Sequence, residues 1–138
     1  MTTWLEPHGG TAERMGEKLR QRLAGGGSIL RAPGAHDAMA GLIARDAGFD
    51  VLYVSGAAVT ASRGLPDLGV LTMEELTGTV RSIARATGLP LIVDGDTGYG
   101  EALNAMRLKI ATALGRAAAV HFEDQVAAEE SGPPNDKT

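Results

Sequence analysis

At 138 residues, with 43% hydrophobic and 22% charged side chains, the chain has the size and make-up of one globular domain with a real core. A formal net charge of −4, with no basic patch interleaved with aromatics, excludes the electrostatic footprint of a nucleic-acid binder. Cysteine is absent, which removes disulfides, thiolate metal sites and cysteine nucleophiles.

The first fifteen residues carry Glu6, His8 and Glu13 and lack an apolar stretch, so no secretory signal is expected. No apolar run approaches the roughly 20 residues of a membrane span. Neither a membrane nor a nucleic acid is expected as partner, and a cytoplasmic location is.

In chain order, Met15, Leu19 and Leu23 recur at helical spacing, and Gly25-Gly26-Gly27 closes that helix. Ile29-Leu30-Arg31-Ala32 reads as a short strand ended by Pro33-Gly34. Met39, Leu42 and Ile43 mark the inner face of a helix that stops near Gly48. Val51-Leu52-Tyr53-Val54 is a second strand, followed by a Ser55-Gly56 turn and a loop to Gly69. Thr72 and Glu75 form a capping box, and Met73, Leu76, Val80 and Ile83 stripe the helix behind it until Gly88. Leu89-Pro90-Leu91-Ile92-Val93 is the third strand. Glu101 favours another helix start, with Leu103, Met106, Ile110 and Leu114 facing inward. Ala117-Ala118-Ala119-Val120 is the fourth strand. The alternation predicts a parallel sheet with helices packed outside it. From Ala127 to Thr138 apolar periodicity ceases, and the segment reads as an irregular tail.

Chemistry concentrates where strands end. Asp94-Gly95-Asp96-Thr97-Gly98-Tyr99-Gly100 follows the third strand, and two carboxylates one residue apart suit a divalent cation held by oxygen ligands. Taken alone, Asp94-Gly95 suits a hairpin turn slightly better. A second acidic strand end, His121-Phe122-Glu123-Asp124-Gln125, favours a site. An EF-hand does not fit, since twelve-residue counting from Asp94 lands on Ala105. Gly25-Gly26-Gly27 lacks the Gly-Lys-Ser/Thr ending of a phosphate loop. His36 and His121 read as structural hydrogen-bonders, Arg63 and Arg107 as solvated or ion-paired, and Met39, Met73 and Met106 as core.

Pro33-Gly34-Ala35-His36-Asp37, Tyr53-Val54-Ser55-Gly56, Gly64-Leu65-Pro66-Asp67-Leu68-Gly69 and the two acidic strand ends occur in the order seen in the isocitrate lyase and phosphoenolpyruvate mutase superfamily. The stretch from about Ile29 to Val126 resembles its short members, of the 2-methylisocitrate lyase type. The resemblance implies a parallel (β/α)8 TIM barrel, here an incomplete one. Residues 1–126 would be its amino-terminal half, with about four βα units, and 127–138 a tail in place of the catalytic loop. Four strands do not close a barrel that typically takes about 250 residues.

The resemblance also implies a site. Asp94, Asp96 and Glu123 resemble the carboxylates around Mg²⁺ (or Mn²⁺), Glu123 often acting through water. Ser55, Gly56 and Ala57 resemble the turn that holds a substrate carboxylate and oxo oxygen, although a plain turn after a strand fits them too. Tyr53 and Glu123 resemble catalytic groups, Tyr53 being equally a core tyrosine. Asp67 stands behind the metal or simply stabilises its turn. The implied reaction is a carbon–carbon lyase step on a 2-oxo-acid-related carboxylate through a pyruvate enolate, with oxaloacetate decarboxylase or phosphonopyruvate-type chemistry as variants. Complete relatives are implied to be homo-oligomers.

The chain departs from that pattern at one place. The family's mobile loop presents a cysteine acid between basic residues and Gly-His; here the segment is Glu129-Glu130-Ser131-Gly132-Pro133, with Ser131 at the cysteine position. A serine hydroxyl is a far poorer acid than a thiol of pKa near about 8.5. This polypeptide alone is therefore expected to be inactive, a truncated form of a lyase. The alternative is a non-catalytic remnant that binds metal or oxo acid, or associates with another barrel.

Overall fold

The computed structural model describes residues 15–27, 29–100 and 102–124. In chain order these form α1 (Met15–Ala24), α2 (Ala38–Asp46), β1 (Leu52–Val54), α3 (Gly56–Ser62), α4 (Met73–Thr87), β2 (Leu91–Asp94), α5 (Ala102–Leu114) and β3 (Ala119–His121). The strands make one parallel sheet in the order β1-β2-β3. Parallel neighbours require a crossover between them, and α3–α4 and α5 supply the two. Among the described residues no helix is long and apolar enough to cross a membrane.

The middle helix shows why the sequence folds this way. Thr72 caps α4 by accepting from Glu75 N, and Glu75 Oε2 accepts from Thr72 N at 2.8 Å, closing the capping box. At the other end Gly88 takes φ 67, a left-handed cap that glycine adopts freely. Between them Leu76, Val80 and Ile83 are fully buried in one cluster with Leu52, Val54, Leu91 and Val93 of the sheet. Against the outer side of α4 lies α2, brought close by Gly41. A Cβ there would sit 2.9 Å from Thr87 Cγ2 and 3.1 Å from Ile83 Cγ2. The Arg22–Asp50 ion pair ties α1 to the segment entering β1.

Four threonines are buried inside the helices: Thr60, Thr77, Thr87 and Thr112. Each donates its hydroxyl to the carbonyl one turn back, at Gly56, Met73, Ile83 and Leu108, over 2.8–2.9 Å. A buried hydroxyl without a partner would cost about 1–3 kcal/mol. Here each helix satisfies its own.

Several expected features differ. The strand over Ile29–Ala32 does not form, so the sheet has three strands rather than four among the described residues. Only an isolated bridge joins Gly34 to Tyr53, through Tyr53 N to Pro33 O and Ala35 N to Tyr53 O. Proline has no N–H for a ladder, Ile29 is 91% exposed, and Leu30 and Ala32 are only half-buried. The loop expected after Ser55-Gly56 contains α3 instead. Its alanines favour helix, Val59 and Thr60 give it a buried side, and Ser55 acts as its cap.

Two helices are also rotated from the expected orientation. On α2, Met39 and Ile43 are exposed, and the buried position is Gly41, flanked by half-buried Ala40 and Ala44. On α5, Leu103 (78%), Met106 (61%) and Ile110 (59%) are exposed, whereas Leu108 and Thr112 are fully buried. Leu23 of α1 is exposed as well. A stripe of large residues predicts an apolar face but not which neighbour covers it; small residues let α2 approach α4 more closely. Met73 packs on the core as expected, while Met39 and Met106 do not. The helix start at Glu101, the leader before Met15, and residues from Gln125 through the tail lie outside the described residues.

Candidate functional site

Register decides which side chains share a face. Tyr53 pairs with Ile92, Ile92 with Ala119, and Asp94 with His121. Paired residues point the same way and neighbours along a strand point opposite ways. Tyr53, Asp94 and His121 therefore share the sheet face turned away from the buried leucines and valines. Tyr53 Oη lies 3.1 Å from His121 Nδ1. Burial first, and then the negative charge of Asp94, pushes the Tyr53 phenol up to about 12, so it stays protonated and acts as a donor at neutral pH.

Beyond the strands the two acidic ends are stitched together by backbone. Gly95 N donates to His121 O and Glu123 N to Asp96 O, both at 2.8 Å. Gly95 is needed for that approach: a Cβ would fall 2.9 Å from Val120 Cγ1 and 3.0 Å from His121 O. Asp96 N donates to Asp94 Oδ1 at 3.2 Å. Asp96 itself takes φ 45, a left-handed conformation that aspartate tolerates better than most residues.

This conformation aims Asp96 at the end of β1. A Cβ built on Gly56 would meet Asp96 Oδ2 at 3.4 Å and Oδ1 at 3.6 Å. The carboxylate thus rests against the turn Ser55-Gly56-Ala57, which opens α3. Ser55 Oγ accepts from Ala58 N at 3.4 Å, which leaves its hydroxyl proton free to be donated. The structure brings together Tyr53, Ser55, Gly56, Asp94, Asp96 and Glu123. The charge of half-buried Asp67 also acts on Asp96, so the loop after α3 folds back to the same place.

Burial, then the charge of Asp94, pushes the Asp96 carboxyl up to about 6, and Asp67 and Glu123 add to this. The sign of the stability effect follows. Between the ordinary 3.8 and about 6 the folded chain holds a proton that the unfolded chain has released. Stability therefore falls as pH rises through that window, and the full penalty remains above it. We expect Asp96→Asn to stabilise the cation-free protein at pH 7.5 by about 1–2 kcal/mol, after allowing for solvent screening of a half-buried group. At pH 3.5 the gain should vanish. Urea melts at the two pH values check this, and an equal effect at both would contradict it.

Among the described residues no three His, Asp or Glu side chains converge closely enough to enclose a metal ion by themselves. The trio Asp94, Asp96 and Glu123 does not form a closed shell. The donor chemistry nonetheless suits a hard cation: carboxylate oxygens, with Asp94 and Glu123 raising the cost of ionising Asp96. Mg²⁺ takes few direct carboxylates and keeps several waters.

His36 sits apart, exposed and 3.7 Å from Asp37, which caps α2 by accepting from Ala40 N. Arg63 pairs with Glu75 at 2.6 Å and Arg107 with Glu74 at 3.2 Å. Sequence reasoning passed over Tyr99. Its signal was present, an aromatic between two glycines directly behind the paired aspartates.

In this parallel α/β sheet the acidic groups and the Ser-Gly turn lie at the carboxyl ends of the strands, where α/β folds bind their ligands. The family described as phosphoenolpyruvate phosphomutase matches residues 19–137, and the chain belongs to the PEP mutase/isocitrate lyase superfamily. It is 44% identical over 135 residues to 2-methylisocitrate lyase of Bacillus subtilis (strain 168), covering 98% of this chain and 44% of that enzyme. Its fold matches the crystal structure of phosphoenolpyruvate phosphomutase from Streptomyces platensis subsp. rosaceus with a TM-score of 0.81 and 38% identity, over 88% of this chain and 42% of that one. A phosphonopyruvate hydrolase solved with oxalate and Mg²⁺ gives 0.78 and 31%, over 85% and 41%. The chain spans less than half the length of these relatives.

Proposed function

We propose that this chain carries the cation- and oxo-acid-binding part of a carbon–carbon lyase of the 2-methylisocitrate lyase type. Residues 1–126 are read as half of a (β/α)8 barrel, working in the cytoplasm on a small carboxylate or 2-oxo acid. The observation that carries the reading is the Asp96 carboxylate seated against the Ser55-Gly56-Ala57 turn, because it joins the acidic strand end to the place a substrate would be held. The similar hydrolase solved with oxalate and Mg²⁺ supports the same ligand chemistry.

The reaction is a retro-aldol cleavage. A base takes the proton of a substrate hydroxyl, its carbon becomes the oxo carbon of a 2-oxo acid as the carbon–carbon bond breaks, and the bonding pair leaves with the other fragment as a carboxylate-stabilised enolate, to be protonated on carbon. Asp94 and Asp96 would hold a divalent cation, with Glu123 reaching it through water and Asp67 behind. When bound, that cation supplies Lewis-acid stabilisation of the enolate oxygen. Ser55 Oγ and the backbone N–H groups of the turn orient the substrate carboxylate. Tyr53, kept protonated beside His121, donates a hydrogen bond to negative charge as it develops. One observation favours a second reading, as an oxo-acid-binding protein without turnover: Glu129-Glu130-Ser131 stands where relatives carry the basic, cysteine-bearing loop.

Binding tests both readings. Mn²⁺ titration followed by electron paramagnetic resonance should show one site that tightens when oxalate is present, as linkage requires. Asp94→Ala should abolish it. Wild-type protein that takes up neither Mn²⁺ nor oxalate, by this assay and by thermal shift, would sink the proposal.

A further inference from the structure

Tyr53 and His121 meet over a strand that separates them. β1 and β3 are not neighbours in the sheet, because β2 lies between them. Tyr53 Oη nevertheless reaches His121 Nδ1, 68 residues along the chain, at 3.1 Å. The register explains the reach. Tyr53 is level with Ile92 and Ile92 with Ala119, so His121 stands two residues closer to the carboxyl ends of the strands. The bond therefore runs diagonally and leans toward the acidic turns. It does not serve to fill the core, since the core cluster lies on the opposite face of the sheet and His121 is exposed.

Which atom donates decides what the bond does. A phenol has one proton and two lone pairs, and a neutral imidazole has one N–H and one bare nitrogen. If Nδ1 accepted, it would take up the only proton Tyr53 has, and the phenol would offer the site lone pairs alone. With Nδ1 donating, that proton stays free. The neighbours decide between the two. Asp94 pairs with His121 and shares the face with Tyr53, and the turns of Asp96 and Glu123 are bonded together just beyond. A hydrogen bond to a carboxylate is about twice as strong as one to a neutral acceptor. The phenol's proton therefore turns to the acidic end of the sheet, and a lone pair is left for His121.

We propose that His121 is a positioning residue: in its Nδ1–H form it donates to Tyr53 Oη, and so aims the phenol's single proton at the place where a ligand's negative oxygen is received. The two ring nitrogens are distinct, and the partner of one fixes the state of both, so Nε2 is left bare. His121 acts through Tyr53 and does not touch the ligand. This deepens the proposed function and rests on that reading for the ligand, though not for the tautomer.

The test uses the full chain and has two arms. The first needs no ligand. The sequence has three histidines, so nitrogen-15 spectra of histidine-labelled protein show three imidazoles, and His121→Asn identifies the signals of His121 by their loss. At pH 8.5 its Nδ1 should show the shift of a protonated nitrogen and Nε2 that of a bare one. In Tyr53→Phe the ring should revert toward the Nε2–H form common in free histidine. The second arm measures oxalate affinity in the presence of Mn²⁺. His121→Ala, on an exposed position that leaves no cavity, should weaken binding about 3- to 10-fold, the worth of one hydrogen bond. The side-chain N–H of asparagine stands where histidine carries Nδ1, so His121→Asn should restore most of that loss. Tyr53→Phe combined with His121→Ala should lose no more than Tyr53→Phe alone. A bare Nδ1 in the wild type overturns the proposal, as do equal losses in the two His121 variants or losses that add in the double variant. If the wild type binds no oxalate, the lyase reading fails, and the nitrogen shifts alone decide the bond.

Discussion

Incubated with 2-methylisocitrate or oxaloacetate and Mg²⁺, the 138-residue polypeptide is expected to form no pyruvate above the protein-free background. The described residues provide places for a cation and a carboxylate, and one protonated phenol, but the enolate must also receive a proton on carbon from a group held within hydrogen-bond reach. The sequence resemblance puts Ser131 where an acidic thiol is implied for the family, and the chain has no cysteine. Losing a positioned general acid typically removes about 10²- to 10⁴-fold in rate. The face carrying half-buried Tyr53 and Asp94 and exposed His121 also admits water, which weakens the electrostatic contacts there. Coupled assay of pyruvate checks the expectation. Mg²⁺-dependent product that disappears in Asp94→Ala would overturn it and would show that another residue supplies the proton.

Leu76→Ala is expected to remove about 2–5 kcal/mol of stability, the usual range for truncating a buried leucine. Leu76 is fully buried where α4 meets the sheet, beside Val80, Ile83, Leu91 and Val93. Three short strands and one long helix leave little elsewhere to absorb the cavity. Against a total of about 5–15 kcal/mol for an ordinary domain, such a loss leaves much of the population unfolded at 37 °C. Urea denaturation followed by circular dichroism reads it directly. A change under 1 kcal/mol, on the order of a surface substitution, would mean that α4 does not pack as described.

Where the chain wrote its own local signals, they could be read. The Thr72–Glu75 box, the Gly88 stop and the stripe of Leu76, Val80 and Ile83 each depend on residues a few positions apart, and α4 forms accordingly. The acidic strand ends were legible for the same reason, since strand and turn alternate over few residues. Which side of α2 and α5 turns inward was not, because Gly41 wins its place through a contact with Thr87 and Ile83 some 40 residues on. The strand before Pro33 failed because pairing needs a partner as well as a pattern. Neither the seating of Asp96 against Gly56 nor the hydroxyl of Tyr99, buried without a hydrogen-bond partner among the described residues, was visible. Both follow from positive φ values, which the neighbouring glycines permit but do not specify.

The four buried threonines have a consequence for how such chains are assembled. Because each hydroxyl is satisfied by a carbonyl of its own helix, none of the four locks one helix to its neighbour through the core. Cutting or rejoining the chain between strand–helix units strands no buried hydroxyl of theirs. Within the core the units meet by shape and by parallel backbone pairing, with ion pairs such as Arg107–Glu74 at the surface, so pieces of related chains are open to recombination at their loops.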